Sequence, residues 1–322
     1  MKAVTYSKYG GPEQLTLKEV MLPTPKEDEV MIRVKSASIN SRDWDMLTGR
    51  PKIYRLLFGF PKPKYPIIGT DIAGIVEGVG ENVTEFKTGE KVYGANPDGG
   101  YGAFAEFITL PQNKVIHIPA NMSMNEAAAI PEAGLLAYQA LNYNGAIRPG
   151  QSVLINGAGG GAGTYAIQMA KAMGALVTAV DSGEKSQAMI DLGADQVLDF
   201  KQTNFASGND KYDLIIDFVA TRSFFNVRKK LNAKGAYVAV GGKVGKIISL
   251  SLLSLLLPKS KAKKVSILAY VMNKSQLAEI NEMYLQGQIK PRIDKVFSLS
   301  DTANAMKYFS EGTFIGKIVI KI

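Results

Sequence analysis

Residues 152–173 read SVLINGAGGGAGTYAIQMAKAM: an apolar run, a turn with glycine at five of the seven positions from Gly157 to Gly163, then an apolar-periodic stretch. A strand entering a helix through such a turn leaves several backbone N–H groups at the helix N-terminus without internal acceptors. Their dipoles converge on an anion. The spacing fits Gly157-x-x-Gly160-x-x-Gly163, and also Gly157-x-Gly159-x-x-Ala162, a looser dinucleotide fingerprint. The next apolar run, ALVTAV, ends at Asp181, eighteen residues beyond Gly163, where a carboxylate can accept both ribose hydroxyls of an adenosine. Gly157, Gly159, Gly160, Gly161, Ala162 and Gly163 are thus candidates for a pyrophosphate, and Asp181 for the ribose. Asp181 would repel a 2′-phosphate, whereas Ser182 and Lys185 behind it could hold one. The balance leans to NAD(H), with dual use open.

The flanking chain supports a nucleotide domain. SVLIN, ALVTAV, QVLDF, DLIIDFV and GAYVAVGG read as strands, alternating with helical segments at 162–173, EKSQAMIDLG and FFNVRKKL. Unbroken Val/Ile/Leu runs imply strands covered on both faces, and βαβα order implies a doubly wound parallel sheet. Phe218, Gly241 and Gly242, at the ends of later strands, join the cofactor candidates. Asp217 either lines the adenine side or caps the segment after it.

Residues 1–120 have a different character, with short alternating runs punctuated by Gly and Pro, as in EVMIRVKSASIN, AGIVEGVG and GAFAEFITLP. This suggests a compact barrel or sandwich without a long helix before about residue 124. Ser123 and Glu126 then form a capping-box signature ahead of AAAIPEAGLLAYQALNY. The final GKIVIKI is a strand of the first kind, so the last fifty residues rejoin the first domain. The boundaries are 1–122 and 271–322 for the β-rich catalytic domain and 123–270 for the cofactor domain.

Composition excludes other chemistries. There are no cysteines and one histidine, so there is no thiolate nucleophile, disulfide or cysteine-ligated zinc. The N-terminus lacks a signal-peptide apolar region, and a reducing cytoplasm fits. The longest apolar stretch, IISLSLLSLLLP at 247–258, is too short to span a bilayer; it reads as a buried or lid segment, with a membrane-surface role as the alternative. Net charge is +9, with basic clusters at Lys259, Lys261, Lys263 and Lys264 and at Arg228, Lys229 and Lys230. These attract anionic ligands such as nucleotides, but no nucleic-acid motif accompanies them.

Five segments together carry a family resemblance: MKAVTYSKYGGPEQL, SASINSRDWDMLTGR, PIIGTDIAGIVEGVGENVTEFKTGEKVYG, AAAIPEAGLLAYQAL and GKIVIKI. Over essentially its whole length the chain resembles the medium-chain dehydrogenase/reductase superfamily, in its zinc-free quinone oxidoreductase branch. The resemblance implies a GroES-like β-barrel domain joined to a Rossmann domain, with NAD(P)H in the cleft between them. It also implies reduction of quinones, enones or other α,β-unsaturated carbonyls, and pairing into a homodimer. Asn40 would orient the nicotinamide carboxamide or the substrate carbonyl. Trp44, Tyr54 and Tyr65 could wall an apolar substrate. Glu132 either lines the expected nicotinamide pocket or is simply a helix-start carboxylate, and Lys317 either approaches the pyrophosphate or is an exposed strand lysine.

The chain also departs from the family pattern. Zinc-using relatives have Gly-His-Glu where this chain has Gly69-Thr70-Asp71. The position five residues after Asn40, Tyr or Lys in some zinc-free relatives, is Asp45, which donates a proton near neutrality only if burial raises its pKa. Leu136 stands where a polar Thr is usual, so the proton donor is open. His117, in KVIHIPANM, reads as structural or surface. A nucleotide-binding sensor or scaffold without catalysis is the alternative function.

Overall fold

The computed structural model describes residues 1–97, 101–242, 245, 249–250 and 264–322. The chain forms two compact units, Met1–Glu132 with Met272–Leu285 and Pro291–Ile322, and Ala133–Val271 with Gln286–Lys290. Most of the apolar stretch 247–258, and Lys259, Lys261 and Lys263, lie outside the described residues.

In the first unit, β1 (Lys2–Thr5) and β2 (Thr16–Glu19) form an antiparallel pair. The main sheet is organised on β3 (Glu29–Ser38), with β4 (Asp71–Val79), β5 (Lys91–Ala95), β6 (Phe107–Pro111) and β7 (Val115–His117). The alternation in EVMIRV turns Val30, Ile32 and Val34 into the core, as a period of two requires. From Ser36 to Ser38 every residue is buried. There β3 takes the terminal strand Lys317–Lys321 as an antiparallel neighbour, while its first half pairs with β6 and β4 runs along its length. Two register shifts against β4, between Met31 and Ile32 and between Val34 and Ser36, accompany this change of partner. The terminal strand also pairs in parallel with Ile293–Ser298, completing the GroES-like unit.

Between β3 and β4 lies an eight-residue helix, α1 (Ser41–Thr48), followed by the single-turn α2 (Arg55–Phe58). α1 stops at Gly49, whose φ of +58° is left-handed and whose N–H donates to Asp45 O at 2.8 Å. The expected capping box is present: Glu126 N donates to Ser123 Oγ at 3.3 Å and Ser123 N to Glu126 Oε2 at 3.0 Å. The helical run after it is two helices, α3 (Met124–Ala128) and α4 (Pro131–Asn142), because Pro131 has no N–H and suits a first-turn position. α3 buries Ala127 and Ala128 and packs on β3 and β4, so the first unit extends to Glu132 instead of ending at residue 122.

Among the described residues, the second unit holds a six-stranded parallel sheet of β8 (Ser152–Asn156), β9 (Leu176–Asp181), β10 (Gln196–Asp199), β11 (Tyr212–Asp217), β12 (Leu231–Ala239) and β13 (Lys264–Ile267), in the order β10-β9-β8-β11-β12-β13. This is the 3-2-1-4-5-6 order of a Rossmann fold, with its topological switch point between β8 and β11. The connecting helices include α5 (Gly161–Ala172), α6 (Ser186–Asp191) and α7 (Phe224–Arg228). Val153, Leu154 and Ile155 on β8 are wholly buried, as expected of a strand covered on both faces. Strand β13, at the sheet edge, is not evident in the sequence pattern.

Candidate active site

The two units each carry a constellation of polar groups at the positions picked out in the sequence. In the second unit the glycine turn leaves β8 at the switch point. Gly157 has φ +84°, and α5 starts after Gly160, which offers no side chain to cap the free N–H groups of the first helical turn. A Cβ on Gly163 would stand 2.3 Å from Gly157 O and 2.6 Å from Ala158 Cα. Glycine here lets the helix lie against its own turn. The cradle fits a pyrophosphate, with free amides at a twelve-residue helix start and no Cβ at Gly160, Gly161 or Gly163 to fend it off.

Asp181 at the tip of β9 is tied to this turn. Gly159 N–H donates to its Oδ2 at 2.9 Å and Ser182 N–H to its Oδ1 at 2.8 Å. Lys185 Nζ lies 3.6 Å from Oδ1, with both side chains largely buried. Ser182 and Lys185, weighed as holders of a 2′-phosphate, are themselves buried, and the Lys185 charge is already shared with Asp181. Phe218, Gly241 and Gly242 meet at the same sheet edge: a Cβ on Gly241 would touch Phe218 O at 2.6 Å, and one on Gly242 would reach Val219 O at 3.0 Å.

Asp217 faces inward. Its fully buried carboxylate accepts from Asn156 Nδ2 (2.7 Å), Val219 N (3.1 Å), Ala220 N (2.7 Å) and Tyr237 Oη (3.1 Å). It ties the exits of β8, β11 and β12 together, which is what keeps the three loops adjacent. Asn156 and Tyr237 carry no sequence signal for this role, because each is an ordinary strand residue.

The first unit holds a buried ionic network. Asn40, at the N-terminal end of α1, donates through Nδ2 to Thr70 Oγ1 at 3.1 Å, and its Oδ1 accepts from Lys317 Nζ. Thr70 Oγ1 lies 3.4 Å from both Asp71 Oδ1 and Glu132 Oε2. Arg42 Nε is 3.8 Å from Glu132 Oε2, and Arg42 also hydrogen-bonds the Tyr101 hydroxyl. Asp43 accepts the Asn40 N–H through Oδ2 at 2.8 Å; its buried Oδ1 has no partner among the described residues. Lys317 is buried at 3% exposure. Its buried ammonium donates to Ile39 O at 3.0 Å and to Asn40, and sits 3.8 Å from Asp71 Oδ2. Burial of an unpartnered charge is so unfavourable that the amine takes the acceptors at hand.

Three buried carboxylates, Asp43, Asp71 and Glu132, share the cations Lys317 and Arg42. Burial, with Asp71 beside it, raises the Glu132 pKa to about 7. Burial, and then Glu132 nearby, lifts Asp43 well above the carboxylate range, and Asp71 is raised by burial against the pull of Lys317. Burial, with like-charge repulsion at Asp43 and Glu132, thus pushes all three carboxylates towards the protonated form. Asp45, half-buried on α1, is raised to about 6 by burial, against the pull of Arg42. Asp43, Arg42 and Tyr101 carried no sequence signal, because their relevance depends on partners far along the chain.

The aromatic candidates divide. Tyr54 and Tyr65 join one string with Phe58 and Tyr101, at centroid separations of 6.0 Å for Tyr54–Phe58, 6.2 Å for Phe58–Tyr101 and 4.8 Å for Tyr65–Tyr101. Trp44 packs instead near Phe309, at 6.4 Å. Leu136 lies on α4. His117 is half exposed and pairs with Glu90 at 3.0 Å, in keeping with a surface role.

Residues 26–120 match the alcohol dehydrogenase GroES-like domain, residues 192–320 a zinc-binding dehydrogenase domain, and residues 140–222 the alanine dehydrogenase/PNT C-terminal domain. The chain is 32% identical to quinone-oxidoreductase QR1, chloroplastic, of Triphysaria versicolor, over 100% of this chain and 98% of that protein. It is also 32% identical to 2-methylene-furan-3-one reductase of Solanum lycopersicum, over 99% of this chain and 79% of that one. The quinone oxidoreductase of Coxiella burnetii superposes with a TM-score of 0.88 at 26% identity, covering 100% of this chain and 99% of the other. With its Rossmann sheet, its GroES-like unit and these relatives, the chain belongs to the medium-chain dehydrogenase/reductase superfamily, in its quinone oxidoreductase-like branch, and is an oxidoreductase.

Proposed function

We propose that the chain uses NAD(P)H, with a lean to NAD(H), to reduce a quinone or an α,β-unsaturated carbonyl without zinc. The observation that carries this is the β8–glycine–α5 cradle with the Asp181 carboxylate bonded to Gly159. The amides of Gly161, Ala162 and Gly163 would hold the pyrophosphate, and the remaining acceptor capacity of Asp181 would take the ribose hydroxyls. Asp181 disfavours a 2′-phosphate beside it, and Lys185 compensates Asp181 itself. Quinone and enone substrates are supported by the names of relatives that span the whole chain.

When bound, a reduced nicotinamide supplies a hydride to the β-carbon of an enone or to a quinone ring. The protein's part is orientation and the proton. Asn40 is rigid, braced by Lys317 on its carbonyl and by Thr70 on its amide. Thr70 Oγ1 accepts from Asn40 Nδ2 and lies 3.4 Å from both Glu132 Oε2 and Asp71 Oδ1, so a proton held on Glu132 can be shared with the Asp71 carboxylate through the hydroxyl. A pKa of about 7 gives Glu132 both forms near neutrality. The donor set supports zinc independence: no cysteine, and a single histidine that is half exposed and paired with Glu90. Pairing into a homodimer and a cytoplasmic location belong to the same reading.

The test is absorbance at the nicotinamide band, with NADH and NADPH, against o-quinones, long-chain enones and aldehydes. Turnover with a quinone or an enone, unaffected by chelators, is expected. Cofactor binding by calorimetry with no turnover of any acceptor would replace this proposal with the non-catalytic sensor.

A further inference from the structure

Between β3 and β4 the chain presents an apolar face to solvent. Ile53 is 52% exposed, Leu56 75%, Leu57 69% and Phe60 75%. Ile53, Leu56 and Leu57 stand at i, i+3 and i+4 of a helical turn and share its outer side. Tyr54 and Phe58 occupy the inner side, Phe58 joining the core and Tyr54 packing against it. The segment is pinned from beneath: Tyr9 Oη donates to Gly59 O at 2.6 Å, and Arg55 Nε donates to Gly49 O at 3.1 Å. The outward orientation is therefore built in. Single exposed apolar residues are ordinary on a surface; four within eight positions on a fixed element are not.

Within the segment that carries this face, the charge has one sign. From Met46 to Thr70 the sequence has no Asp or Glu and five basic residues, Arg50, Lys52, Arg55, Lys62 and Lys64. All but Arg55 are exposed, and they flank the apolar residues on both sides. Two copies of the chain meeting through this face would set like charges against each other. A bilayer with anionic headgroups meets both requirements at once: apolar side chains enter the headgroup–acyl boundary while lysines and arginines stay at the phosphates.

We propose that the face formed by Ile53, Leu56, Leu57 and Phe60, rimmed by Arg50, Lys52, Lys62 and Lys64, docks the protein on an anionic lipid surface. Docking is peripheral and reversible, because few apolar groups enter and the electrostatic part is screened beyond about 8 Å at physiological salt. It does not depend on the proposed hydride transfer, since binding to vesicles needs no turnover.

The experiment is co-sedimentation of the full chain with vesicles of phosphatidylcholine alone and of phosphatidylcholine with phosphatidylglycerol. Binding to the anionic vesicles that weakens as salt rises is expected. Leu56→Ser/Leu57→Ser/Phe60→Ser and, separately, Lys52→Glu/Lys62→Glu/Lys64→Glu should each weaken it at least roughly tenfold, with melting temperature and nucleotide affinity unchanged. A Phe60→Trp variant gives a readout that survives if the triple variants fold poorly; its emission should shift to the blue and be quenched by brominated lipid. Absence of wild-type binding to the anionic vesicles, binding unaffected by both triple variants, or no spectral response from Phe60→Trp would each overturn the proposal. So would a dimer in sedimentation velocity that the serine variant abolishes while vesicle binding persists.

Discussion

Gly159 N–H donates to Asp181 Oδ2 at 2.9 Å, so the residue at the tip of the second Rossmann strand is fastened to the turn that leaves the first. The glycine turn and the ribose-side carboxylate are therefore one mechanical unit. A Cβ at position 159 would lie 2.6 Å from Lys185 Cδ and 3.1 Å from Asp181 Oδ2, so any side chain there would displace the Lys185 and Asp181 side chains from this arrangement.

Asp181→Ala should shift the cofactor ratio. It removes the charge facing a 2′-phosphate and releases Lys185 to meet one. The ratio of kcat/KM for NADPH over NADH is expected to rise at least about tenfold, or roughly 1.4 kcal/mol. Steady-state kinetics with both cofactors checks it.

Gly163→Val should abolish nucleotide binding. The new Cβ meets backbone atoms of Gly157 and Ala158, which cannot rotate away, so α5 must move off its own turn. A destabilisation of about 1–3 kcal/mol is expected from overpacking of this kind. Calorimetry with NADH and a urea titration read the two effects separately.

Lys317→Met should strand a buried Asp71. Removing one partner of a buried pair costs about 3–5 kcal/mol, more than the pair itself contributes. Lys317→Met/Asp71→Asn should recover much of that loss, because no uncompensated charge remains. Urea unfolding of wild type, both single variants and the double variant closes the cycle.

Glu132 fixes the sign of a pH dependence. Its pKa is about 7 in the fold against an ordinary 4.5, so between those values the folded chain holds a proton that the unfolded chain has released. Stability therefore falls as pH rises from about 4.5 to about 7. Asp45, raised from 3.8 to about 6, contributes with the same sign over its own window. Glu132→Gln should flatten this slope. If Glu132 holds the reaction's proton, the variant should also lower kcat at pH 6 while leaving the KM for cofactor unaltered.

The sequence by itself determined what is local. A strand, a glycine turn, a helix and an acid at the next strand tip are consecutive in the chain, so their spacing alone specifies the cradle, and the apolar runs specify a sheet covered on both faces. The cause of the break at Pro131 is also local, because a missing N–H is a property of the residue, although the apolar run around it reads as continuous. Only the tertiary structure decided the rest. Lys317 meets Asn40 because the terminal strand pairs with the end of β3, and Thr70 meets Glu132 because β4 and the start of α4 converge there. A lone charged residue in a strand gives no sign of whether it will be solvated or buried; long-range strand pairing settles that, and with it which carboxylates are pushed to keep their protons.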